Sequence, residues 1–300
     1  MSTRCLCAFV SCWLLMASSA VAQPQDAAAQ PPANARGPEI ELNLISLPTT
    51  QSMSRHRGYF RLTHRFPRNL RFGDFSDLAS DLFGLDSGAA IGLEYRFAVE
   101  NNIHLGIHRS TLNKALQLFS RWDAVRQGQQ GVPFALSGFA SFEALDNLQD
   151  GHQPGIGAVI SRTWGQMLAL YASPTYVYGT FDAERIATGM IGHDHDHKDA
   201  PGGLDAQEEE DHFSHKSTFY VGLGGRLRLR PTVFVVAEFT PRLSGHDPGD
   251  AMWGVAIEKW TRGHTLQLHL TNSFATTPGQ IARGGAPETM YLGFTITRKF

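Results

Sequence analysis

Apolar and polar side chains alternate along most of this chain, the pattern of a strand with one greasy and one polar face. Phe60, Leu62 and Phe66 alternate with Arg61, Thr63 and Arg65. Ile91, Leu93, Tyr95 and Phe97 alternate with Gly92, Glu94, Arg96 and Ala98, and Ile103, Leu105 and Ile107 with His104, Gly106 and His108. The alternation returns at 112–121, 132–143, 155–163 and 167–177 and resumes from 216, where Phe219, Val221, Leu223, Leu227 and Leu229 oppose Tyr220, Gly222, Gly224, Arg226 and Arg228. Further strands are predicted at 232–241, 252–260, 263–272 and 289–300. The reading is all-β, with about twelve antiparallel strands near the ~9–11 residues that a tilted membrane strand needs.

The last strand carries a finer signal. Leu292, Phe294, Ile296 and the terminal Phe300 share one face, which resembles the closing strand of bacterial outer-membrane β-barrels. At the other end, Arg4 precedes an apolar stretch from Cys5 to Met16, and Ala20-Val21-Ala22 then meets Gln23, the order of a cleaved secretory signal over residues 1–22. A lipoprotein reading would need Cys12 as the lipidated residue, and Phe9-Val10-Ser11 is a poor approach to it. Residues 23–38, rich in Pro, Ala and Gln, read as a disordered spacer, and 39–300 as the barrel. Cys5, Cys7 and Cys12 all lie in the segment to be removed, so no disulfide or thiolate site is expected in the mature chain.

Composition narrows the class. Charged residues are 18% and aromatic residues 10%, and no later apolar run approaches the ~20 residues of a spanning helix. An exported, strand-rich chain without such a helix enters a bilayer only by closing its strands, because hydrocarbon offers backbone groups no partner. A net charge of −2 argues against nucleic acid as a partner. The expected setting is therefore the outer membrane of a Gram-negative type bacterium, with membrane lipid around a monomer. Connections counted back from Phe300 support it: 273–288, 242–251, 178–215 and 144–154 are long and fall on one side, while 261–262, 230–231 and 164–166 are short and fall on the other. In the amino-terminal half, 122–131 and 110–111 break that rule. Trp122, Trp164, Trp253, Trp260 and Phe300 fall at predicted strand ends, where aromatic girdles belong. The competing class is a soluble periplasmic β-sandwich, whose strands also alternate.

One region is more specific. Arg61-Leu62-Thr63-His64-Arg65-Phe66, then Leu82-Phe83-Gly84-Leu85-Asp86-Ser87-Gly88, Ile91-Gly92-Leu93-Glu94-Tyr95, Leu105-Gly106-Ile107-His108-Arg109-Ser110 and Val125-Arg126-Gln127 follow in order. This order resembles an uncharacterised bacterial outer-membrane β-barrel family, domain of unknown function 5777, over roughly residues 40–272. The resemblance implies a barrel; it brings no catalytic or binding residues with it.

Chemistry is then sought in clusters. His193, His195 and His197, interleaved with Asp194 and Asp196, are followed by Asp199, Glu208, Glu209, Glu210, Asp211, His212 and His215, so five of the 13 histidines lie in the 178–215 connection. Imidazole with carboxylate suits Zn, Ni or Cu, although no His-Glu-x-x-His on a helix is present, and adventitious cation binding by a solvated acidic loop is the plainer alternative. No other cofactor is expected.

His108 with Ser110, and His269 with Thr271 and the adjacent Asn272 and Ser273, are the pairs a lipid hydrolase would use. Their strand face is the polar one, expected to line the lumen, whereas a lipid hydrolase needs its nucleophile toward the bilayer. That lumen face carries Arg61, Arg65, Glu94, Arg96, His104, Arg226, Arg228, Glu238, Glu258 and Gln267. Opposed Arg and Glu would either plug a narrow barrel or border a small polar pore, and the excess of Arg points to anions. Residues Gly73–Leu85 are expected to form a short helix over the mouth. The function expected is passage of a small solute or metal ion through the barrel; a non-conducting anchor or sensor and, third, a lipid hydrolase are the alternatives.

Overall fold

The computed structural model describes residues 38–85, 88–180, 216–245 and 249–300. Thirteen strand segments form one sheet: β1 (Gly58–Arg65), β2 (Ala90–Glu100), β3 (Ile103–Ser110), β4 (Leu116–Val125), β5 (Ala135–Leu145), β6 (Asp150–Trp164), β7 (Leu168–Thr180), β8 (Lys216–Arg230), β9 (Val233–Thr240), β10 (Arg242–Ser244), β11 (Met252–Trp260), β12 (His264–Thr271) and β13 (Tyr291–Lys299). β9 and β10 are one stave interrupted at Pro241, which has no N–H to give the ladder. Both pair with β8, so the sheet has twelve staves.

Closure comes from the two ends of the fold. β1 pairs antiparallel with β13, from Tyr59 opposite Lys299 to Arg65 opposite Gly293, and also with β2 on its other edge. Every ladder therefore has a partner on both sides, which leaves no open edge. A β-sandwich would leave edges, so that alternative is overturned.

The alternation read in the sequence becomes an inside-out barrel. Outward side chains are large and apolar, with Leu93 42%, Ile107 43% and Leu268 56% exposed, while inward Arg61 and Arg226 are 2% and 0% exposed. Apolar groups on the outside and buried charge on the inside suit a solvent of hydrocarbon. Trp122, Trp164 and Phe300 are exposed near strand ends at the same end of the barrel, as a girdle requires. No helix among the described residues is long and apolar enough to cross a membrane.

The strand boundaries correct two expectations. The strand expected at 112–121 begins only at Leu116, because Leu112–Lys114 makes a 3-10 turn in which Asn113 has φ 52°. The long connection expected at 144–154 is a four-residue turn, since β5 runs to Leu145 and β6 starts at Asp150. The segment 126–134 is long on the side of the otherwise short turns, as the sequence indicated.

The connection between β1 and β2 contains the expected short helix, α1 (Phe75–Ser80). Asp74 caps it: its carboxylate accepts the Asp77 N–H at 3.0 Å, and the Asp77 side chain returns the bond to the Asp74 N–H at 3.0 Å. None of its residues is buried, so α1 stands free and does not plug the mouth.

Candidate functional site: the occupied lumen

The barrel interior is filled by two segments of the chain, neither of which the strand pattern predicted. The first is residues 38–53, which directly precede the approach to β1. Leu44 N–H donates to Leu47 O at 2.8 Å and Thr49 N–H to Leu42 O at 3.0 Å, with Asn43 bridged to Pro48, so 42–49 is a tight hairpin. Leu42, Leu44, Ile45 and Leu47 are all buried. The second is the connection from β12 to β13, where Thr277 caps a short helix, α2 (Pro278–Ile281), and residues 275–283 turn inward and are buried apart from half-buried Pro278.

The hairpin enters from the end that carries the short turns. Lys299 Nζ, at the end of β13, donates to Ile40 O; Thr265, next to a short turn, donates to Glu41 at 2.6 Å. Met53 N–H donates to His104 Nε2 at 3.2 Å on the return limb. The tip reaches the inward loop, where Ser46 Oγ donates to Ala275 O at 2.9 Å.

Charged wall residues serve the hairpin backbone. The Glu238 carboxylate accepts N–H groups from three successive residues, Ile45 at 3.1 Å, Ser46 at 2.9 Å and Leu47 at 3.1 Å. Three amides aimed at one point form an anion cradle, here filled by a wall carboxylate. Opposite, guanidinium groups satisfy the hairpin carbonyls: Arg61 donates to Ile45 O, and Arg226 to Asn43 O at 2.9 Å. Arg96 donates to Asn43 Oδ1 at 2.8 Å, and Gln267 to Leu44 O at 3.1 Å. Arg65 joins both segments, donating to Ser46 Oγ at 2.7 Å, Ser273 O at 2.9 Å and Ala275 O at 2.5 Å. A segment buried in this way leaves few backbone groups unpaired, which is the condition for irregular chain at membrane depth.

Shape matches as well as charge. A Cβ on Gly222 would lie 2.4 Å from a methyl of Leu47, one on Gly224 2.3 Å from Leu44, and one on Gly254 2.9 Å from Ile45. Three wall glycines are thus the seats of three hairpin side chains. Tyr171, Tyr220, Val236 and Met252 complete the apolar patch around them.

The charges foreseen for the lumen are inward, and the structure pairs most of them with one another. Glu94 bridges Arg61 at 3.6 Å and Arg96, and Arg226 meets Glu258 at 3.1 Å. A pair missed in the sequence, Arg121 with Asp123 at 2.8 Å, lies on the same face of β4, with His104 3.8 Å from Asp123. Arg228 is only half-buried, donating to Gln166 at 3.3 Å and stacking on Phe234, so it sits near the short-turn end away from the hairpin.

His108, Ser110, His269 and Thr271 are buried on the lumen face as their spacing indicated, and Ser110 Oγ accepts the Leu112 N–H at 3.1 Å. His193, His195, His197, His212 and His215 lie outside the described residues; among the described residues no cluster of three or more His, Cys, Asp or Glu has metal-holding geometry.

A closed antiparallel barrel with an apolar exterior and a polar, occupied interior is a membrane barrel. The chain belongs to the family described as membrane bound beta barrel domain, which matches residues 41–300. No curated protein matches it. Among solved structures, the NanC porin is similar at 7% identity with a TM-score of 0.49, covering 80% of this chain and 98% of the porin. An outer membrane channel from Pseudomonas putida F1 has 11% identity and a TM-score of 0.47, covering 84% and 98%. Outer membrane phospholipase A from Escherichia coli has 10% identity and a TM-score of 0.40, covering 90% and 98%. At such identities and scores, none of them passes a function to this chain.

Proposed function

We propose that the protein is an outer-membrane barrel for passage of a small polar solute, closed at rest by its own hairpin at 42–49. The short-turn end then faces the periplasm, and the hairpin enters from that side. The observation that carries this reading is the nature of the seal. Wall side chains do not close the lumen by themselves; the hairpin and the inward β12–β13 loop do, and much of what binds the hairpin is hydrogen bonding to wall Arg, Glu and Gln. A permanent core would be expected to use apolar packing throughout, because each charge withdrawn from water costs desolvation unless fully paired. A wall of paired charge is well suited to being hydrated when the hairpin moves, and rings of charge bias passage.

The competing reading is a barrel sealed for good that anchors or senses. Lipid hydrolysis is disfavoured because Ser110 lies inside, away from lipid. The metal ion stays a second candidate solute, tied to the histidines of the 178–215 connection.

A reversible tether separates the first two. Leu47 sits directly over Gly222, so the double variant Leu47→Cys, Gly222→Cys places two thiols within disulfide reach. In planar bilayers the oxidised form is expected to be silent and the reduced form to show conductance steps, with larger steps after deletion of 42–49. Silence in all three forms, with normal heat-modifiable migration, would leave the sealed barrel.

A further inference from the structure

A cavity of about 50 Å³ lies between the hairpin, the inward loop at Thr276 and Pro278, and the wall formed by β2, β4 and β5. Two of its lining side chains, Arg121 and Asn43, hold donor groups that no acceptor meets. Arg121 spends Nε on Asp123 at 2.8 Å and Nη2 on Ser137 at 3.2 Å, but its buried Nη1 has no partner. The Nδ2 of Asn43, on the hairpin, also has none. Gln117 and Ser141, both turned inward, add an amide and a hydroxyl.

Arg96 lies on the cavity edge with its guanidinium 4.9 Å from the Phe119 ring centre, and Phe119 and Phe139 provide flat apolar walls. The charged lining groups are two guanidiniums and one carboxylate, Glu94, which Arg61 and Arg96 already pair. With partners counted, Arg61, Arg96 and Arg121 face Glu94 and Asp123, which leaves one positive charge in excess beside the unpartnered donors. One water needs ~10–15 Å³ of such space, so the cavity takes several waters or one group of a few heavy atoms.

We propose that this cavity is a binding subsite for an oxyanion, either a small free one or the carboxylate of a larger solute. The guanidinium of Arg121 is its anchor, and the Gln117 amide and Asn43 amide set its orientation. Planar oxygens suit the planar guanidinium, which binds carboxylates with directional bonds that a point charge lacks. Because Asn43 belongs to the hairpin, an anion here touches the wall and the seal at once, and it would reach the subsite first when the hairpin loosens. As the solute class of the passage proposed above, the assignment rests on that reading; as a binding site, it does not need the pore to open.

The test uses the refolded mature chain in detergent, titrated calorimetrically with sodium acetate and with sodium sulfate against sodium chloride at matched ionic strength. Saturable binding of acetate or sulfate is expected, weakened at least tenfold in Arg121→Gln. That variant strands Asp123, so Gln117→Leu, which changes no charge, is measured beside it and is expected to weaken binding about threefold or more. Acetate preferred over sulfate would mark the site as one for a carboxylate-bearing solute, and the reverse as one for a small inorganic oxyanion; either supports it.

No saturable binding by the wild type, or equal binding in Gln117→Leu and in any folded Arg121→Gln, would overturn it in favour of plain hydration. Reversal potentials of the hairpin-deleted barrel in an acetate gradient keep the two proposals apart. Conductance without binding removes the subsite and keeps passage, while binding without conductance does the opposite.

Discussion

The Glu238 carboxylate shows how one side chain can hold a segment almost two hundred residues away along the chain. It accepts from three consecutive amides at the hairpin tip while itself 4% exposed. Hydrogen bonds to a charged acceptor contribute ~1.5–3 kcal/mol each, though shared bonds on one carboxylate are less than additive. Glu238→Ala is therefore expected to loosen the tip by about 3 kcal/mol, a rise of roughly two orders of magnitude in hydrogen exchange at Ile45, Ser46 and Leu47. Unchanged exchange at those amides would show that the apolar seats hold the hairpin without it. Asp74 makes the matching point outside the barrel. The Asp77 N–H, with that of Ser76, holds its carboxyl below the usual carboxylate range. A carboxylate with a depressed value stabilises its fold above the ordinary pKa, and the contribution fades as pH falls through the lowered one. Carbon-detected titration should place Asp74 below the ordinary carboxylate range, and helix signals for 75–80 should fade on the acid side only.

The strands were legible because each obeys one rule, the period of two, and lipid on the outer face makes that rule strict. Leu93, Tyr95 and Phe97 could be placed outward from sequence alone, and Glu94 and Arg96 inward. The hairpin at 42–49 escaped because it is buried on every side: Leu42, Leu44, Ile45 and Leu47 break the alternation at the turn, and no single period describes them. Its other trace in the sequence was the set of lumen-facing glycines in β8 and β11, which read as ordinary strand residues until a partner was seen. The Arg and Glu positions could be read, but not their partners, since pairing to backbone carbonyls leaves no mark on spacing. The glycine seats give an element-scale prediction. Gly224→Val places branched carbon where Leu44 now rests, and the wall strand yields less than the hairpin. Limited proteolysis near 42–49 should become faster in that variant, while the heat-modifiable shift of the barrel is retained; equal protection would mean that Leu44 has room to turn aside.

At the scale of the whole molecule, stability is set by what faces lipid. Leu268 lies outward in the middle of β12, between neighbours Ile257 and Phe294 on the flanking strands. An arginine near the midplane of a lipid face costs ~2–4 kcal/mol. Leu268→Arg is accordingly expected to lower the folding free energy in lipid vesicles by about that amount, measured by denaturant titration. The same substitution in a protein held by its lumen contents alone would change little, so the size of the loss reports which side of the wall dominates.

The position of the hairpin at the amino-terminal end of the described chain has a consequence in time. Its contacts to Glu238 span 193 residues and those of Thr265 to Glu41 span 224. Contacts of such high order form late. The portion of the barrel region that leaves the ribosome first meets Arg61, Arg96 and His104 on β1 to β3 early, but its tip lacks its Glu238 and Gln267 partners until β9 and β12 exist. It is either laid in as β1 meets β13 or enters afterwards through the short-turn end, the same route that its release would take. Engagement of the 42–49 tip with Glu238 and Gln267 is thus a built-in signal of complete assembly.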